Sequence, residues 1–156
     1  MTKHTEKSTI GANEQVRRLL EQGHPDRALD VIDHNDQNST WMKNARAVCL
    51  LRLGKAQDAI RVLADITFQG NICIPSDTPA VYQTNFATAL LIANNKEGAI
   101  DIIDRLHENH EPLVEKLANA VDKWRKGLTL VQKVLCKIGI FPGGRIQIDF
   151  CPGDLD

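Results

Sequence analysis

Gly54-Lys-Ala-Gln-Asp-Ala59-Ile60 decides the fold, because two other stretches repeat its pattern: Gly23-His-Pro-Asp-Arg-Ala28-Leu29 and Asn94-Asn-Lys-Glu-Gly-Ala99-Ile100. Each reads as a turn residue, four polar-leaning positions, Ala and an aliphatic residue. Gly and Asn are the residues that most cheaply adopt the left-handed conformation ending a helix. The Ala five positions later is small enough to let two helices approach closely. Each stretch therefore predicts a helix end, a tight turn and the start of an antiparallel helix.

Apolar residues recur at helical spacing on both sides of each turn. Val16, Leu19 and Leu20 precede the first, and Ala28, Leu29, Val31 and Ile32 follow it. Ala45, Ala47, Val48, Leu50, Leu51 and Leu53 lead into the second, with Ala59, Ile60, Val62, Leu63 and Ile66 beyond. Val81, Tyr82, Phe86, Ala87, Leu90 and Leu91 lead into the third, with Ala99, Ile100, Ile102, Ile103 and Leu106 beyond. Six helices of ~10 to 14 residues, paired as three hairpins, are predicted over residues 10–110, behind a disordered tail at 1–9. Ala28 to Ala59 is 31 residues and Ala59 to Ala99 is 40. The longer interval carries an insert at 67–79 with Gly70, Pro75 and Pro79 as breakers.

In these residues the chain resembles the tetratricopeptide repeat (TPR) family, whose unit of about 34 residues is a helical hairpin. The matches are Gly23 and Ala28 in the first unit, Ala47, Gly54 and Ala59 in the second, and Ala87 and Ala99 in the third. Leu19, Leu50 and Leu90 stand where the family usually has an aromatic residue, Asn94 replaces a turn Gly, and Val16 replaces a small residue. An all-helical hairpin array without this kinship is the alternative. The resemblance implies an all-α, right-handed helical-hairpin solenoid of about three repeats, whose first helices line a concave groove. The implied groove-facing positions are Asn13, Arg17, Trp41, Asn44, Val48, Arg52, Thr84, Asn85 and Thr88. Amides, hydroxyls, two Arg and an aromatic suit an extended peptide, whose backbone needs hydrogen-bond partners. Family members that grip chaperone tails use a clamp of Lys and Asn; Arg17 and Asn13 match it in part, and Ala45 and Val81 depart from it.

From Pro112 a single amphipathic pattern takes over: Leu113, Leu117, Ala120, Val121, Trp124, Leu128, Val131, Leu135 and Ile138. It predicts a capping helix at 111–139, with Gly127 as the point where it would break. Its basic residues Lys116, Lys123, Arg125, Lys126, Lys133 and Lys137 outnumber Glu115 and Asp122. They read either as a solvated face or as a docking surface for an acidic partner or an anionic membrane. At 140–156 the helical signal stops, and Ile146, Ile148 and Phe150 alternate with Arg145, Gln147 and Asp149. That is a β-like tail in need of a partner. Pairing with Asn71-Ile-Cys-Ile-Pro75, within one chain or across a homodimer, is one expectation; tucking against the last helix is another. A third places a partner subunit's tail in the groove.

The chain has 156 residues and a net charge of −1, so one globular domain is expected and a bulk nucleic-acid binder is not. That balance is a cancellation, because residues 112–138 are basic and the remainder is acidic. No apolar run is long enough to span a membrane, and Met1–Ile10 lacks a signal-peptide core, which points to a cytoplasmic protein. Cys49, Cys73, Cys136 and Cys151 form no C-x-x-C pair and read as reduced thiols. His107 and His110 share a helix face beside Glu108 and Glu111 and suggest a metal, although a zinc site takes three or four ligands. No nucleophile elbow or phosphate loop is present. The expectation is a non-catalytic adaptor without a cofactor, binding a protein or peptide. The alternatives are a chaperone of secreted proteins and a small metal protein or enzyme using His107 and His110.

Overall fold

The computed structural model describes residues 3–35, 39–106 and 112–156, with side chains from Gly11 onward. Eight helices and no strands occur among the described residues: α1 (Lys3–Glu21), α2 (Pro25–Asp33), α3 (Thr40–Arg52), α4 (Ala56–Phe68), α5 (Ala80–Ile92), α6 (Lys96–Leu106), α7 (Pro112–Lys126) and α8 (Leu130–Lys137). Through α7 each helix packs on the next in the chain, giving three consecutive hairpins followed by α7. The odd-numbered helices also touch one another in sequence, so α1, α3, α5 and α7 stand side by side.

The three repeated stretches form three copies of one turn. Gly23, Gly54 and Asn94 have φ of +75°, +74° and +65°. At each, two N–H groups reach back to the preceding helix. Gly54 donates to the Leu51 carbonyl at 3.0 Å and Lys55 to that of Leu50 at 2.8 Å, and Gly23/His24 and Asn94/Asn95 make the same pair. These bonds satisfy carbonyls that a helix end otherwise leaves orphaned. Ala28, Ala59 and Ala99 then close the first turn of the following helix and are wholly buried, which lets the two helices of a hairpin meet closely. Asn94 has a further role, since its Oδ1 accepts a 2.9 Å bond from the buried Lys96 ammonium. Lys96 also lies 5.9 Å from the Trp124 ring centroid, so α6 and α7 share that cation.

Two apolar clusters follow from the hairpin arrangement. One joins α1, α2 and α3 through Val16, Leu20, Ala28, Ile32, Met42 and Val48; the other joins α3 through α7, with Leu63, Leu91, Ile103 and Leu117 at its centre. Every residue of α5 from Gln83 to Leu91 is buried. A helix enclosed on all sides belongs at the middle of an array. Its hydroxyls Thr84 and Thr88 bond back to the carbonyls of Ala80 and Thr84, at 2.7 and 2.8 Å.

Several boundaries differ from the sequence reading. Helix α1 begins at Lys3, inside the stretch read as a tail, because no Pro or Gly interrupts residues 3–10 and elongating a formed helix is easy. Helix α4 extends through Thr67 and Phe68, the first residues assigned to the insert, before Gln69 and Gly70 turn the chain at φ +51° and +79°. The remaining insert is closed by Thr78, whose hydroxyl donates to the Thr67 carbonyl and whose carbonyl accepts from Gln83. The capping segment is two helices rather than one. Thr129 forms a capping box with Gln132, and that local geometry starts a new helix at Leu130, shortly after Gly127. No residue of α8 is buried, and Leu130, Val131, Val134 and Ile138 are exposed.

Candidate functional site

The site begins where the chain leaves α8. Phe141 stacks on Trp124 with ring centroids 6.5 Å apart, which fixes the start of the extended run. From there burial alternates: Ile146 is buried, Ile148, Phe150 and Pro152 are half-buried, and Arg145, Gln147, Asp149 and Cys151 are exposed. The period-two pattern is thus present without strand pairing among the described residues, and no strand joins this run to 71–75. At Gly153 the phase shifts by one. Gly153, at φ +82°, and Leu155 are both buried, with Asp154 and Asp156 exposed. A left-handed residue lets an extended chain change the face it presents.

After the shift the segment contacts α3, α5 and α1. Arg52 donates from Nε to the Pro152 carbonyl at 3.3 Å and from Nη2 to that of Gly153 at 3.2 Å; its Nη1 reaches the Leu20 carbonyl at 2.9 Å, near the end of α1. A guanidinium at a helix C-terminus is favourable for the helix dipole as well. The Asp154 carbonyl accepts from Asn44 at 3.1 Å and from Asn85 at 2.7 Å, and the Asp154 N–H donates to Asn85 Oδ1 at 2.9 Å. Asn85 also donates to Asn44 Oδ1 at 2.8 Å, tying α5 to α3. Both amides are fully buried, so each needs these bonds.

Leu155 is a core residue, packed in the cluster of Ala12, Val16, Ala45 and Val48. Asp156 forms a two-pronged ion pair with Arg17, close to Trp41. The Arg17 guanidinium holds the Asp156 carboxyl below its ordinary value of 3.8, and Arg17 is raised in return by Asp156. At the opposite extreme, burial pushes the Cys49 thiol up to about 12, so it stays protonated and inert at neutral pH.

Six of the nine groove positions meet at one segment: Arg17, Trp41, Asn44, Val48, Arg52 and Asn85. Thr84 borders a cavity with Asp154 and Asp156 but spends its hydroxyl on its own helix. Thr88 is buried and also bonded within α5. Asn13 lies one turn from Arg17, and its Oδ1 is buried without a partner. The occupant is what sequence reasoning missed, since it expected a peptide of another protein there, with a partner subunit's tail as a further possibility, and the contacts are made by the chain's own residues 152–156. Only Leu155 and Asp156, an aliphatic residue and an acid for an apolar slot and Arg17, carried a legible signal, because Arg52, Asn44 and Asn85 contact backbone.

The basic residues of the cap stand in different surroundings. Lys116 and Lys123 border an open cleft of about 760 Å³ together with Trp124, Arg145 and Asp149. Arg125 is paired with Asp104 and Asp122, at 3.4 and 3.6 Å. Lys126, Lys133 and Lys137 are exposed beside the apolar residues of α8. The His107/His110 pair lies outside the described residues.

In comparisons with known proteins, the chain matches no family model, no curated protein and no solved structure. No described helix is long and apolar enough to cross a membrane.

Proposed function

We propose that this protein is a non-catalytic interaction module, a TPR-like helical-hairpin solenoid that holds an extended peptide segment of a partner against α1, α3 and α5. The observation that carries the reading is the grip on residues 152–154. Arg52, Asn44 and Asn85 contact three successive backbone carbonyls and one N–H, groups that any extended peptide supplies. Buried amides retained for such contacts suit peptide binding better than packing alone, because an unpaired buried amide costs about 1–3 kcal/mol. The threefold turn geometry and the row of first helices support the TPR-like reading.

A random peptide library panned against the full chain carrying Asp156→Arg tests this. Selected peptides should bind that variant and fail to bind when Asn85→Ala is added. Selection of no peptide that depends on Asn85 would overturn the groove assignment.

A further inference from the structure

The segment in the groove has the features of a ligand that belongs to the chain, and its contacts divide into two kinds. The hydrogen bonds to residues 152–154 fall on the backbone and are indifferent to sequence. Three other features select side chains. A Cβ at position 153 would stand 3.0 Å from Val48 Cγ2, so this place takes glycine. Leu155 fills an apolar slot between α1 and α3. Arg17 then meets an acid.

We propose that residues 152–156 are a displaceable internal occupant, and that the partner is an extended acidic peptide with the same order of glycine, acid, aliphatic residue and acid. This rests on the groove reading above and adds to it a gate and a recognition pattern. Displacement is feasible because the Asp156 side chain is 64% exposed, so its ion pair with Arg17 is weak and screened by salt. No helix or strand holds the run after Gly139 among the described residues, and its fixed base is Phe141 on Trp124.

A tethered occupant acts at an effective concentration on the order of millimolar, so it lowers the apparent affinity of a competing peptide without altering the groove. A fluorescent peptide copying residues 150–156, with serine at the Cys151 position, is the probe, titrated by anisotropy into full-length variants. Asp156→Arg sets like charges against each other at an exposed position and leaves the core untouched; it should bind the peptide several-fold more tightly than the wild type. Leu155→Asp should do the same. Arg17→Glu alone should bind a version of the probe that ends in arginine, and adding Asp156→Arg restores the opposite-charge pair within the chain and should close the gate to that same arginine-ended probe. An alanine in the peptide at the glycine position should abolish binding.

Equal affinity of the wild type and both single variants would overturn the gate. If library peptides bind through Asn85 but lack the pattern and this probe does not bind, the groove reading stands and the recognition pattern falls. If neither probe nor library peptide depends on Asn85, the groove reading itself fails. A doubled mass of the wild type by light scattering, lost in Asp156→Arg, would show the segment inserted into a second copy and would overturn the intramolecular gate.

Discussion

Asn85 and Asp154 pair reciprocally: the Asn85 side-chain amide donates to the Asp154 carbonyl at 2.7 Å and accepts from the Asp154 N–H at 2.9 Å. One side chain thereby reproduces the two bonds that a neighbouring strand would make to one residue. An extended run that lies on helices has no strand beside it, and a buried amide from α5 takes that place.

Replacing Asn85 by Ala removes both bonds and leaves the Asn44 oxygen without its donor. Global stability should fall by about 1–3 kcal/mol, read from the urea midpoint. Amide exchange at Asp154 should accelerate well beyond that at Ala59. Unchanged exchange at Asp154 would show that the pairing does not hold the segment.

Gly153→Ala places a Cβ against Val48 at φ +82°. The left-handed conformation alone costs about 1–2 kcal/mol for a residue with a Cβ, and the contact adds to it. Val48→Ala should recover the steric part only, so the two changes are expected to be non-additive in a double-mutant cycle. Strict additivity would place position 153 away from Val48.

The Arg17–Asp156 contact carries a pH dependence of definite sign. The carboxyl of Asp156 is depressed below 3.8 in the folded chain, so its contribution is fully present above that value. It is lost as pH falls through the lower folded value. Exchange protection of the 152–156 amides should therefore decline below about pH 4, and decline less in Asp156→Asn, which lacks the titrating group. Protection that rises with acid would contradict the ion pair.

The turn residues Gly54 and Asn94 should respond differently to substitution. Gly54→Ala meets no neighbouring atom and should cost only the left-handed strain of about 1–2 kcal/mol. Asn94→Gly relieves backbone strain yet removes the acceptor of the buried Lys96 ammonium, so it should also destabilise the protein, for a different reason. Thermal denaturation reads both, and a higher melting temperature for Asn94→Gly would show that the Lys96 contact is worth less than the strain relieved.

The repeated Gly/Asn-to-Ala spacing located all three helical turns because a turn depends on a few neighbouring residues, and the apolar periodicity identified which faces are buried. The break between α7 and α8 was half legible. Gly127 was visible as a weak point, but the capping box of Thr129 and Gln132 that makes it a boundary went unread. Residues 3–9 and 67–68 were mis-bounded because helix ends depend on packing and on elongation from a formed helix more than on local composition.

The sequence by itself determined the helical hairpins, their buried Ala contacts and the alternation of Ile146, Ile148 and Phe150, since all of these are periodicities a chain carries locally. Only the tertiary structure decided what covers Asn44, Asn85 and Arg52. Those side chains and residues 152–154 lie far apart in the chain, and their meeting depends on how the first helices line up. Backbone hydrogen bonding is indifferent to sequence, so no pattern in the residues could announce which segment would answer it.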